Sequence, residues 1–372
     1  MKRKKILALL ILFVMSALLL FSGCSGKQED ADEKADGKNE AGDTVTITDM
    51  AGREVEVPEK IEKVYSVNSI GTIFLYTLKP CVLAGWNSEL GTEKQYIKEE
   101  FHSLPVLGTY KGPNSINMEE LLATAPDLII NMGDISDKYI SESDELQELT
   151  GIPVVMIDGS LDKQAEAYKL LGKLLDAEKR AERLAEYSQD VLEEIKEKAA
   201  AIPEEKKVTV YYAAGAKGLE TSPRGSINTE VLDLVGGLNV ADTGIDKNMR
   251  RIDVTLEQVI NWNPQVIMIA TDGSENHSVY ETILNENAWS HIDAVKNRQV
   301  YEIPYGPFDW FNRPPSVLRL MGMKWLGNLL YPDVYQLDIN EEAKEFFQLF
   351  FDHSLTDKEI NQLLERSVAG HE

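Results

Sequence analysis

Three short stretches bring aromatic or cationic side chains together with turn-forming residues. The longest runs Tyr305-Gly306-Pro307-Phe308-Asp309-Trp310-Phe311-Asn312-Arg313-Pro314-Pro315. It directly follows an apolar run, so it reads as a partly exposed loop in which Trp310 and Phe311 offer ring faces and Arg313 a fork of donors. A cap that packs its own rings is the plainer reading for some of them. The second stretch is Met249-Arg250-Arg251, after Thr243-Gly244-Ile245-Asp246. The third, Thr221-Ser222-Pro223-Arg224-Gly225-Ser226, precedes a helical pattern, where backbone N–H groups and Arg224 could receive an anion. Taken one at a time, each arginine is more simply a surface ion pair. In the first half of the chain Trp86 follows a short apolar run, and Tyr110-Lys111-Gly112 forms a loop. Aromatic walls and a few arginines suit a bulky, partly apolar, anionic ligand better than a sugar or an amino acid.

Catalytic chemistry has no comparable support. There is no phosphate-binding loop ending in Gly-Lys-Ser/Thr, no Gly-x-Ser-x-Gly elbow and no His-Glu-x-x-His pair. His102, His277, His291, His353 and His371 are scattered without ligand-like spacing. Carboxylates are so abundant that pairs of them arise by chance. The expectation is a binding protein, not an enzyme, with no cofactor and no resident metal.

The elements that must carry these loops form two similar halves around one helix. That helix spans about Ala177 to Ala201 without Gly or Pro, with Asp176 placed as its N-cap and Pro203 as its stop. Ala181, Leu184, Ser188, Val191 and Ile195 form a narrow stripe, and Glu194 and Lys198 are spaced for an ion pair. It would be roughly 37 Å long, enough to lie across two bodies. Before it, Val45–Val57 alternates around a Gly-containing turn and predicts a hairpin. Short apolar runs follow at Val64–Val67, Val82–Gly85, Leu128–Ile130 and Val154–Ile157. After the helix come Val208–Tyr212, Asn239–Ala241, Val266–Ala270 and Val300–Ile303. Such runs, alternating with helical sequence, predict parallel strands. Asn117-Met118-Glu119-Glu120-Leu121-Leu122 leading to Pro126 and Leu128–Ile130 is echoed 138 residues later. There Thr255-Leu256-Glu257-Gln258-Val259-Ile260 leads to Pro264 and Val266–Met268. The fold class is therefore α/β, two lobes with mainly parallel central sheets joined by one long α-helix. The lobes would be residues 45–175 and 204–372, with 176–203 connecting them and a helical extension at the end. A ligand would sit between the lobes.

The N-terminus points outside the cytoplasm. Four cations precede an apolar run from Ile6 to Phe21, which is short for a membrane span. Leu20-Phe21-Ser22-Gly23-Cys24 resembles the lipobox of bacterial lipoproteins, although Phe21 departs from the usual Leu. That resemblance implies a signal peptide over residues 1–23, lipid on Cys24, and attachment to the outer face of the cytoplasmic membrane. An uncleaved signal anchor is the alternative. Residues 24–44 carry no large apolar side chain and read as a flexible tether. With Cys24 so used, Cys81 has no disulfide partner, and its apolar neighbours predict a buried, inert thiol. The formal charge is −24, and losing residues 1–23 with their four cations leaves −28. Nucleic acid is excluded as a partner on bulk charge, and paired arginines would stand out against that field.

Together these features resemble the helical-backbone solute-binding proteins of ABC importers for iron–siderophore complexes, haem and cobalamin. The features are the lipobox, a Thr-x-x-Asp-x-x-Gly-Arg hairpin, the paired Glu-bearing helix–strand units and the long linking helix. Trp310–Ser316 through Lys324-Trp325 looks like an iron-complex subgroup. The resemblance implies a monomeric binder, without enzyme activity, that captures a ferric siderophore or related chelate and delivers it to a permease with its ATPase. Cobalamin, haem or another chelate is the alternative, and a signalling or adhesion lipoprotein a further one. It also implies that Glu119 and Glu257, one per lobe, dock on permease arginines. Tyr110 matches a position where the family places an aromatic on its ligand. Trp86, Lys111, Arg224, Arg250, Arg251, Trp310, Phe311 and Arg313 complete the candidate ligand contacts. A stiff linking helix would limit lobe closure. Phe346, Phe347, Phe350 and Phe351 at helical spacing predict a stripe packed on the second lobe.

Overall fold

The structure is a computed structural model of the chain and describes residues 43–111, 115–244, 250–271 and 276–369. The signal-like run, Cys24 and residues 24–42 of the tether lie outside the described residues, as do Gly112, Ile245, Asp246 and Met249.

The first lobe contains β1 (Thr44–Thr48), β2 (Glu54–Pro58), β3 (Val64–Ser66), α1 (Ser69–Leu78), α2 (Met118–Thr124), β4 (Leu128–Gly133), α3 (Asp137–Thr150), β5 (Val154–Asp158) and α4 (Gln164–Leu174). The connecting helix is α5 (Glu178–Ala200). Beyond it lie β6 (Thr209–Ala213), β7 (Glu220–Thr221), α6 (Glu230–Leu234), β8 (Leu238–Asn239), β9 (Ile252–Asp253), α7 (Leu256–Trp262) and β10 (Val266–Ile269). The chain ends with α8 (Ser278–Asn285), α9 (Asp293–Lys296), β11 (Val300–Glu302), α10 (Leu318–Leu330), α11 (Pro332–Tyr335), α12 (Ile339–Phe351) and α13 (Asp357–Leu364).

Each lobe has a parallel sheet, in the order β3-β4-β5 in the first and β11-β10-β6-β8 in the second. Parallel strands are buried on both faces, and the side chains sort by the two-residue period. Val210 and Tyr212 of β6 and Val266 and Met268 of β10 face one large core that also holds Leu128, Ile130 and Met132 of β4. The alternate residues Tyr211, Ile267 and Ile269 fill a separate cluster in the second lobe. Ile129 does the same in the first. The large core runs through both lobes by way of α5, α10 and α12.

The 138-residue echo is structural. Asn117 caps α2 by accepting from the Glu119 and Glu120 N–H groups, and Thr255 caps α7 in a reciprocal box with Gln258. Both helices end on a left-handed residue, Ala125 and Asn263, directly before proline. Each then enters the second strand of its sheet. The hairpin β1–β2 is also present, and Asp49 fixes it. Its carboxylate accepts from the Ala51, Arg53 and Met156 N–H groups and from Arg53 Nε, which welds the turn to β5.

Four expectations are corrected. Asp176 does not cap α5: it adopts the left-handed conformation (φ 49°) that ends α4, and the cap position falls to Ala177. Val82–Gly85 forms no regular strand. Pro80 starts a single helical turn there, and Leu83 makes only one bridge to Val64. Cys81 is exposed, because only Val82 of that turn faces the core. The phenylalanine stripe of α12 is buried, but not on the second lobe alone. Phe351 meets Tyr76 of α1, Phe350 meets Tyr168 of α4 and Tyr187 of α5, and Phe347 lies between Tyr96 and Trp310. The helix therefore bridges both lobes and the connecting helix.

Candidate functional site

In open parallel sheets, ligands bind outside the carboxyl ends of the strands. Here those ends carry Asn68, Asp134 and Ser160 in the first lobe and Ala214, Asp242, Thr271 and Tyr305 in the second. Among the described residues, polar contacts span the crevice between the lobes at two places. Tyr305 Oη donates to Glu93 Oε1 at 3.0 Å, and Arg250 Nη2 lies 3.9 Å from Asp134 Oδ2. The floor on the first-lobe side is ordered by buried Asn87, whose amide donates to the Ser66 and Gly108 carbonyls. A cavity of 260 Å³ flanks Tyr305, with His277, Glu302, Thr271, Tyr96 and Arg366 on its walls. Burial pushes the Glu302 carboxyl up, against the pull of His277 at 2.8 Å. Among the described residues no group of three His, Cys, Asp or Glu is placed to hold a metal ion.

The candidate residues separate sharply. Trp310 and Phe311 are core, not cleft wall: they are 0% and 1% exposed. Trp310 Nε1 donates to the Gly306 carbonyl, and Phe311 stacks on Tyr212 at 5.5 Å. Asp309 dictates this inward turn. Its Oδ1 accepts the N–H groups of Phe311, Asn312 and Arg313, closing the loop on itself. Burial pushes the Asp309 carboxyl up to about 7 against those donors. Trp86 is likewise buried, with its indole N–H on the Phe101 carbonyl. Tyr110 is half-buried at the crevice edge, its N–H bonded to the Val67 carbonyl.

Most of the cations are committed. Lys111 pairs with Glu145 at 2.6 Å, Arg224 with Asp242 at 2.7 Å, and Arg251 with Glu220 at 2.9 Å. Arg224 also donates to the Asn239 carbonyl. Two candidates remain. Arg250 and Arg313 are exposed, and among the described residues neither has a carboxylate closer than the 3.9 Å of Asp134. Their loops are joined by a chain that the sequence did not reveal. Asn312 Nδ2 donates to Asn228 Oδ1 at 2.6 Å, and both Asn228 Nδ2 and Ser222 Oγ donate to the Arg250 carbonyl. Nothing in residue type or spacing marks Asn228; only the fold brings it between the two loops. Glu119 and Glu257 stand exposed in the first turns of α2 and α7, and neither carboxylate has an ion-pair partner among the described residues.

The periplasmic binding protein family matches residues 69–305, which run from α1 through α5 to β11 and leave only the β1–β2 hairpin and β3 of the strands outside. The chain belongs to that family. Its members bind solutes and are not enzymes. The chain is similar to the molybdate-binding protein MolA of Haemophilus influenzae, at 26% identity over 82% of this chain and 90% of that protein. A vitamin B12-binding protein of Salmonella paratyphi A is 26% identical over 62% of this chain and 78% of its own length. The structure superimposes on an ABC transporter solute-binding protein from Sulfurospirillum deleyianum with a TM-score of 0.78 and 30% identity. That match covers 86% of this chain and 99% of the other. This family member is thus a two-lobed solute-binding protein of the ABC-transporter type. No helix among its described residues is long and apolar enough to cross a membrane.

Proposed function

We propose that the protein captures an anionic solute between its lobes and hands it to an ABC permease and its ATPase. The observation that carries this is the pair Arg250 and Arg313. They are the candidate guanidinium groups left without a tight carboxylate among the described residues: Arg250 reaches across the crevice to Asp134, and Arg313 follows Asn312, which is tied through Asn228 to the Arg250 backbone, in a chain of charge −24. Such groups favour oxyanions through charge and paired donors.

The preferred ligand is a small oxyanion of the molybdate class. Trp86, Trp310 and Phe311, three of the rings a bulky chelate would need on the crevice wall, are buried in the core. The molybdate-binding relative also aligns over 82% of the chain, against 62% for the B12-binding one. A ferric siderophore or other chelate is the second reading, favoured by half-buried Tyr110, Tyr305 and Phe308 around the crevice. Docking on the permease would fall to Glu119 and Glu257. Attachment to the outer face of the membrane through lipid on Cys24 rests on the sequence, and the mass of the mature N-terminus checks it.

Calorimetric titration of the full-length protein with molybdate, ferric siderophores, haem and cobalamin tests the ligand. The expected result is one molybdate per chain, with affinity falling about tenfold in R250A and in R313A, the loss of one charged hydrogen bond. Binding of a siderophore without molybdate would overturn the oxyanion reading. Silence toward all four would overturn both.

A further inference from the structure

We infer that Asn228 is a positioning residue that sets Arg250 and Arg313 relative to each other. The inference rests on the reading that Arg250 and Arg313 grip the anion. Arg250 projects from the strand-start before β9, and Arg313 from the loop after β11; these segments are more than 60 residues apart in sequence. Asn228, in the turn before α6, touches both. Its Nδ2 donates to the Arg250 carbonyl and to Ser222 Oγ at 3.2 Å, and its Oδ1 accepts from Asn312 at 2.6 Å.

The chemistry requires asparagine. The Arg250 carbonyl can only accept, so the facing atom of residue 228 must be a donor. The other end must accept, because Asn312 turns its amide N–H₂ toward it. One planar amide offers both on a short stem. Aspartate would lose the donor, and leucine of similar shape would lose both. The chain is anchored at each end. The Arg250 carbonyl receives a second bond from buried Ser222 Oγ at 2.6 Å, filling both lone pairs. Asn312 is pinned through its own N–H to buried Asp309. Arg313, the next residue, bonds the same carboxylate through its N–H at 3.1 Å. Fixed backbone on both sides leaves the two side chains free to point at a ligand while their roots cannot drift apart. Asn228 itself is half-buried and needs no contact with the ligand to act.

The test is a mutant cycle on full-length protein, with molybdate as the probe and calorimetry as the readout. N228A should weaken binding about tenfold with both arginines present, a coupling within the range for residues in one network. In the R250A/R313A background the same substitution should change affinity by less than about twofold. N312A cuts the chain from its other end, should match N228A, and serves if N228A fails to fold. Full tenfold addition of N228A in the arginine-free background overturns the inference. A lowered melting temperature with unchanged affinity in N228A and N312A does so too. If R250A/R313A binds molybdate like the wild type, the anion grip itself fails and the inference with it. If that double variant is weak but N228A is not, only the inference fails.

Discussion

Asp309 holds the loop after β11 by accepting three consecutive backbone N–H groups while being only 1% exposed. Burial favours its neutral form and raises its carboxyl to about 7, whereas the unfolded chain ionises near the usual value of about 3.9. Stability from this group is therefore fully present below the unfolded value and is lost as pH rises through 7. D309N keeps an acceptor for the N–H groups and carries no charge. Its melting temperature relative to wild type should rise steadily between about pH 4 and pH 7 and level off above. A difference that does not move with pH would mean that the three donors keep the carboxylate ionised throughout. The same loop shows what residue types could and could not convey. Arginines near crevice loops were visible in the sequence, but their partners were not. Glu220 lies 31 residues from Arg251, and Asp242 lies 18 from Arg224. Only the antiparallel pairing of β7 with β9 sets Glu220 against Arg251. Trp310 and Phe311 lie deeper than a Gly- and Pro-rich loop predicts, because Asp309 curls this one inward.

At the scale of elements, patterns of local origin were legible. The stripe on α5, its Glu194–Lys198 pair at 3.1 Å, the β1–β2 hairpin and the echo of α2–β4 in α7–β10 all follow from short-range spacing. The two-residue strands β7 and β9 left no period to read. What α12 covers was equally hidden, since an amphipathic helix announces a buried face but not its partner. The contacts of that face are spread over both lobes, and polar ties reinforce them. Arg180 on α5 donates to the Thr77 carbonyl at the end of α1 and to the Leu349 and Phe350 carbonyls at the end of α12. This places one cation at two helix C-termini, where the dipoles favour it. Lys98 pairs with Asp352 beside them. F350A removes a ring stacked on Phe346 and edge-on to Tyr187, and should cost about 3–5 kcal/mol. Hydrogen exchange should show protection lost together in α1, α4 and α10. Loss confined to α10 would make α12 an appendage of the second lobe.

For the whole molecule, these ties decide how the two lobes are held. The strut α5, about 34 Å long for its 23 residues, is fastened near its start by Arg180 and near its end by Lys198, which donates to the Tyr335 carbonyl. One hydrophobic cluster passes from β4 through α5 to β6 and β10 without a break. A frame of this kind fixes the spacing between α2 and α7, and with it the spacing between Glu119 and Glu257. The helix dipole alone could account for a glutamate in each first turn, at about 0.3–1 kcal/mol apiece. It would not account for both sitting 138 residues apart at matching positions, exposed and unpaired among the described residues. Two carboxylates at a fixed separation suit a partner with two fixed cations. E119K/E257K should therefore abolish uptake of the ligand by cells while calorimetric affinity for molybdate and the melting temperature stay within error. Normal uptake in the double variant would reduce both residues to dipole ornaments. Lost affinity would move them from the docking face to the binding site. A single reversal should leave partial uptake, because the remaining lobe still meets its cation across a frame that does not bend to compensate.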